Sequence, residues 1–82
     1  MTRVTVIIGG AEIDLILERD GKIYPIEIKA KSKITAQDAK NITSFRKLYP
    51  HLNLQKGLII APAEDKYAVT EEDWVMPWDC LV

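Results

Sequence analysis

Apolar positions in the first third of the chain alternate with polar ones, the period of two that a strand imposes. Arg3-Val4-Thr5-Val6-Ile7-Ile8 is a short β-branched run ended by Gly9-Gly10, and it predicts a strand followed by a turn. Residues 11–19 and 22–30 predict two more strands, joined by Asp20-Gly21. Asp-Gly supplies the positive φ angles of a type I′ turn, so the hairpin closes on two residues and its register follows. Arg19 then pairs with Lys22, Asp14 with Glu27, and Glu12 with Lys29. Ile13, Leu15, Leu17, Ile26, Ile28 and Ala30 fall on one face, the expected core, while Glu12, Asp14, Glu27 and Lys29 gather on the other.

The period changes after Ser32. Thr35 is a good N-cap with Asp38 three residues on, close to a capping box, and Pro50 stops the helix. Ala39, Ile42, Phe45, Leu48 and Tyr49 recur at three and four residues, which predicts one stripe against the sheet; Lys40 and Lys47 share another face with Thr43. Residues 54–61, apolar from Gly57 onward, predict a central strand buried on both sides and ended by Pro62. Residues 67–70 and 74–82 predict two short strands, the second expected at an edge because Pro77 interrupts it. The order is β-β-β-α-β-β-β, an α/β domain on a mixed sheet. A right-handed crossover through the helix makes the strands before and after it parallel.

Length and charge refine this picture. With 82 residues the chain is expected to be one small domain, which buries a smaller share of its surface than a larger one. No stretch approaches the roughly 20 apolar residues of a membrane span. Residues 1–20 lack the apolar core and small-residue cleavage site of a signal peptide, so a cytoplasmic protein is the expectation. The single cysteine, Cys80, excludes an internal disulfide and reads as a small buried hydrophobe in the last strand. The single histidine, His51, has no second histidine with which to build a zinc site; it reads as a loop residue, with a phosphate contact as the alternative. The net charge of −1 conceals a split. Residues 29–56 hold seven basic side chains against Asp38 alone, and residues 64–82 hold six acidic ones against Lys66 alone. The basic stretch suits a polyanion backbone; an ordinary solvated helix face is the bland alternative.

The chemistry concentrates on Asp14 and Glu27. Like charges opposite one another on a sheet destabilise it unless something neutralises them, and a divalent cation is the usual answer. Aspartate is also disfavoured inside a strand pattern, so Asp14 argues for a function rather than for local folding. The bland reading, charged residues facing solvent on an amphipathic strand, stands beside it. Ser32, Thr35 and Gln37 near the helix start offer a phosphate site, against an N-cap role for Thr35. Trp74 and Trp78 offer base stacking, against packing in a core or on a partner.

Asp14, a spacer running through the hairpin, and Glu27-Ile28-Lys29 resemble the Asp … Glu-x-Lys signature of the PD-(D/E)xK nuclease superfamily, which includes restriction endonucleases and Holliday junction resolvases. The resemblance extends through Gly10-Ala11-Glu12-Ile13-Asp14-Leu15-Ile16, Ile26-Glu27-Ile28-Lys29-Ala30-Lys31, Phe45-Arg46-Lys47-Leu48-Tyr49-Pro50 and Val75-Met76-Pro77-Trp78. Over nearly the whole chain it is similar to an uncharacterised domain of that superfamily found at the C-terminus of prokaryotic AAA-type ATPases. The resemblance implies a restriction endonuclease-like fold lacking the usual N-terminal helix, a segment of a longer ATPase-linked protein, and a DNA nuclease module. It implies Mg²⁺ or Mn²⁺ held by Asp14, Glu27 and the Ile28 carbonyl, with Lys29 stabilising charge or orienting water. Glu12 would hold a second metal through water or pair with Lys29. Lys31, Lys33, Lys40 and Lys47 would meet DNA, including branched forms. The partner covering the second sheet face would be the N-terminal ATPase region or a second copy, giving a homodimer. A catalytically inactive nucleic-acid- or protein-interaction domain of the same fold is the alternative, because fold does not settle function.

Overall fold

A computed structural model describes residues 2–6 and 13–81. Strands β1 (Thr2–Val6), β2 (Leu15–Arg19), β3 (Lys22–Ile28), β4 (Gly57–Ala61), β5 (Tyr67–Ala68) and β6 (Asp73–Pro77) form one mixed sheet in the order β1-β2-β3-β4-β6-β5. A 3₁₀ turn over Ala36–Ala39 leads into helix α1 (Lys40–Leu48) between β3 and β4, and another, Trp78–Leu81, follows β6. The mixed α/β architecture and the element order are those expected from the sequence. Ile7, Ile8, the Gly9-Gly10 turn, Ala11 and Glu12 lie outside the described residues, as does the side chain of Cys80.

The β2–β3 hairpin closes as its turn dictates. Asp20 and Gly21 take φ of 52° and 78°, and the register runs from Arg19 opposite Lys22 to Leu15 opposite Ile26. β3 and β4 are parallel, as the crossover requires, and β4 and β6 are parallel as well. The last strand is not at the edge: β6 lies between β4 and β5. Pro77 is tolerated there because it occupies the final position of β6, opposite Ala61, where its missing N–H removes at most the last rung.

The faces of the sheet correct a larger expectation. Residues paired in register share a face, so Glu27, Ile59, Val75 and Tyr67 form one row, with Ile16 and Pro25 on the same side. This is the side that α1 covers: the core joins Ile34, Ala39 and Ile42 to Ile13, Ile59, Ala61 and Val75, with Ile16, Phe45 and Tyr67 against it. Leu15, Leu17, Ile26 and Ile28, expected in the core, lie on the opposite face, where Ile28 is 50% exposed. Ile13 joins the core under α1 as expected, because the chain bends at Asp14 and strand alternation stops there, and Ile26 is buried as expected but on the other face. Apolar residues occupy both faces of these strands, so alternation cannot say which face the crossover helix covers. Leu48 and Tyr49, also expected on the buried stripe, are exposed; the stripe ends at Phe45, which the Tyr49 ring meets at 5.0 Å.

A buried ion pair fixes α1 over β4 and β6. Arg46 Nη2 donates to Asp73 Oδ1 at 3.0 Å, Thr70 Oγ1 donates to Asp73 Oδ2 at 2.7 Å, and Arg46 Nε lies 3.2 Å from Glu72 Oε2. Asp73 is 1% exposed, so its charge depends on these partners. The approach requires glycine at position 57: a Cβ there would stand 2.7 Å from Ile42 Cγ2 and run into the Asp73 carboxylate. Farther along, the Tyr67 hydroxyl donates to Ile34 O at 2.9 Å and accepts from Ile34 N at 3.2 Å, holding the segment between β3 and the helix.

Candidate functional site

The hairpin brings Asp14 to the C-terminal end of β3, as its register predicts, but in a different manner. β2 begins at Leu15, and Asp14 sits at a bend just before it. Its carboxylate Oδ2 accepts a hydrogen bond from the backbone N–H of Ile28 at 2.9 Å. The side chain thus takes the place of a ladder partner. Within a strand the N–H and C=O of one residue point the same way, so the Ile28 carbonyl is directed to the side where Asp14 lies.

Glu27 is 2% exposed, beneath α1. Its Oε2 accepts from Asn41 Nδ2 of the helix at 3.4 Å and lies 3.6 Å from Lys29 Nζ. Burial pushes the Glu27 carboxyl above its ordinary range; the Asn41 hydrogen bond and the Lys29 ammonium oppose that shift, and the charge of Asp14 adds to it. A buried carboxylate with a second carboxylate beside it favours a cation. Lys29 is fixed by its own backbone, whose N–H donates to Ile60 O at 2.9 Å and carries the β3–β4 ladder one residue past Ile28.

These donors are all hard oxygens. The contacts named use Asp14 Oδ2 and Glu27 Oε2, and the charge of Asp14 acts on the Glu27 carboxyl, so the two carboxylates and the Ile28 carbonyl belong to the same strand end. Two carboxylates and one carbonyl, completed by water, suit Mg²⁺ or Mn²⁺. No group of three or more His, Cys, Asp or Glu able to hold a metal occurs among the described residues. Glu12 lies outside them.

The structure separates the four lysines expected to meet a polyanion. Lys31 Nζ is 2.7 Å from Asp38 Oδ1, while Asp38 Oδ2 accepts from the Thr35 N–H at 2.9 Å. Lys31, and after it Thr35, hold the Asp38 carboxyl below its ordinary range. Lys31 therefore serves the helix start, though it stays exposed. Lys33, Lys40 and Lys47 are exposed, Lys33 on the loop that leaves the site and the other two on α1. Lys47 lines a shallow groove with Thr43, Arg46 and residues 70–73. Asn41 carries no sign of its role in the sequence, because a helix residue that reaches a strand carboxylate fourteen positions away has no local signature.

Residues 9–81 match the family described as Domain of unknown function (DUF4143), and the chain belongs to that family. No curated protein and no solved structure matches it. No helix among the described residues is long and apolar enough to cross a membrane.

Proposed function

We propose that this domain is a metal-dependent phosphodiesterase module of the PD-(D/E)xK type, acting on DNA. The observation that carries the reading is the joint placement of Asp14, Glu27 and Lys29 at the end of β3. One carboxylate is anchored to the Ile28 N–H, the other is buried beneath α1, and the ammonium lies 3.6 Å from the second. Asp14, Glu27 and the Ile28 carbonyl would hold Mg²⁺ or Mn²⁺. When bound, the ion would supply Lewis acidity and lower the pKa of water. Lys29, 32% exposed at its side chain, reaches solvent from the same place and offsets the negative charge that builds on a phosphoryl group under attack. Asn41 keeps the Glu27 carboxylate turned toward the site without adding charge. Lys33, Lys40 and Lys47 would bind phosphates, a sequence-independent and salt-sensitive contribution. Association with an AAA-type ATPase, in the same chain or as a partner, belongs to this reading, as does a cytoplasmic location.

A second reading has its own observation. Lys29 and Asn41 both satisfy the same Glu27 oxygen, so the carboxylate is internally partnered without a metal. That suits a non-catalytic nucleic-acid- or protein-interaction domain. Incubating the chain with a panel of single-stranded, duplex and branched DNA in Mg²⁺ or Mn²⁺ separates the two. Cleavage that EDTA and Lys29→Met both abolish supports the nuclease. Metal binding without cleavage of any DNA supports the second.

A further inference from the structure

The three parallel strands finish level at one end of the sheet. Ile28 of β3 stands opposite Ile60, the Lys29 N–H continues that ladder to Ile60 O at 2.9 Å, and Ala61 of β4 stands opposite Pro77, where β6 ends. The chain therefore leaves β3, β4 and β6 side by side, through residues 29–33, 62–65 and 78–79. Two strand spacings of ~4.8 Å put the β6 exit about 10 Å from that of β3. Trp78 opens the β6 exit and is 46% exposed, whereas the Trp74 ring has the Lys66 ammonium 5.7 Å from its centre. An indole left half-open at the same sheet end as Asp14, Glu27 and Lys29 is available to whatever reaches that site.

The same exits carry opposite charges. Lys29, Lys31 and Lys33 leave β3, with Lys40 at the start of α1; Asp38 engages Lys31, while Lys33 and Lys40 are exposed. Glu64 and Asp65 leave β4 and Asp79 leaves β6, all three exposed. Lys66 follows Asp65 but lies over the Trp74 ring. A groove of about 510 Å³ separates the two sides, with Ser32, Lys33 and Thr35 on one wall and Glu64, Asp65 and Tyr67 on the other. Pockets for small ligand groups begin at about 300 Å³, so this one has the room. The division of charge along the sequence is thus a division across the sheet end.

We propose that the DNA reaching this site is unpaired, laid across the ends of β3, β4 and β6 with its phosphates toward Lys29 and Lys33 and a base stacked on Trp78. This deepens the nuclease reading above and rests on it. Inside a duplex each base is already stacked on both faces, so an indole takes one only from a single strand or after it has been extruded. A second backbone would also carry phosphates onto Glu64, Asp65 and Asp79, which repel them. The same carboxylates accept hydrogen bonds from the exocyclic amine of an exposed base such as cytosine. A basic side for phosphates and an acidic, aromatic side for bases fit one strand and not two.

Trp78 reports on this contact directly once Trp74→Phe removes the other indole. In EDTA, where no strand is cut, an unstructured single strand and a relaxed, covalently closed duplex are compared at equal nucleotide concentration. We expect the single strand to quench Trp78 emission with about tenfold tighter affinity or better. Trp78→Ala in the parent, with circular dichroism unchanged, should weaken single-strand binding about 5- to 150-fold, the worth of one base stacked on an aromatic ring, and leave duplex binding as it was. Glu64→Lys with Asp65→Lys, both at exposed positions, should narrow the preference by strengthening duplex binding. Equal affinity for the two DNAs overturns the proposal. So does a Trp78→Ala chain that holds the single strand as the parent does, or a single strand that leaves Trp78 emission unquenched. With Mg²⁺ added, duplex cut as fast as single strand overturns this proposal and keeps the nuclease. A chain that shows the preference and cuts nothing overturns the nuclease and keeps the single-strand surface.

Discussion

The carboxylate of Asp14 accepts the backbone N–H of Ile28 at 2.9 Å, so the residue just before β2 is tied to the residue that follows Glu27. The bond places two carboxylates and a carbonyl at one strand end with no metal needed to assemble them. Asparagine can accept the same bond through its amide oxygen. Asp14→Asn should therefore match the parent in stability in EDTA, or slightly exceed it, because the repulsion with Glu27 is relieved. Asp14→Ala loses the acceptor and should cost ~1 kcal/mol. Thermal melts of the three proteins in EDTA give the order.

Glu27 makes a prediction whose sign is fixed by burial. Its folded-state pKa is raised, so the folded protein holds this proton more tightly than the unfolded chain does. Below the ordinary carboxylate range both states are protonated and the group is neutral in effect. As pH rises through the raised value, ionising the buried group costs stability. In EDTA, Glu27→Gln should gain on the parent as pH rises from 4 to 8, with no gain at the acid end. A gain confined to low pH would refute the assignment.

Asp38 behaves oppositely. Lys31 and the Thr35 N–H depress its pKa, so its contribution is present above the ordinary carboxylate range and is lost as pH falls through the lowered value. Asp38→Asn should flatten the acid side of the stability profile. It should leave metal binding untouched, which a titration with Mn²⁺ would check.

The anchor of α1 is testable without any ligand. Arg46→Met strands the 1%-exposed Asp73 carboxylate and should cost about 3 kcal/mol in urea unfolding. Gly57→Ala forces a Cβ against Ile42 and Asp73 and should cost about 1–3 kcal/mol. Either loss would also loosen Asn41, whose place on α1 sets its reach to Glu27.

Local signals were legible in the residues. Asp20-Gly21 dictated the hairpin register, Thr35 and Asp38 marked the helix start, and Asp14, Glu27 and Lys29 were found together at one strand end. What the residues hid was long-range. Leu15, Leu17, Ile26 and Ile28 make as good an apolar face as Ile16, Pro25 and Ile59, so only the packed helix shows which is covered. Pro77 marked a strand end rather than a sheet edge, since a proline's missing N–H matters only where a neighbour needs it. Arg46 and Asp73 lie 27 positions apart and carry no pattern that links them.

Asn41 extends the site to the helix. Partners that orient metal-binding carboxylates typically account for about 10–100-fold in metal affinity. Asn41→Leu should weaken Mn²⁺ binding by ~10-fold in calorimetry. An unchanged affinity in a parent that does bind Mn²⁺ would remove Asn41 from the site and leave the carboxylates in it.

The central claim is that Asp14, Glu27 and the Ile28 carbonyl form a cation site, and paramagnetic broadening tests it most directly. Substoichiometric Mn²⁺ added to the isotopically labelled chain should broaden the amide signals of residues 13–15 and 26–29 first, and Asp14→Asn should abolish the effect. Broadening centred elsewhere, on Glu64 and Asp65 for example, or none at millimolar Mn²⁺, would contradict the account.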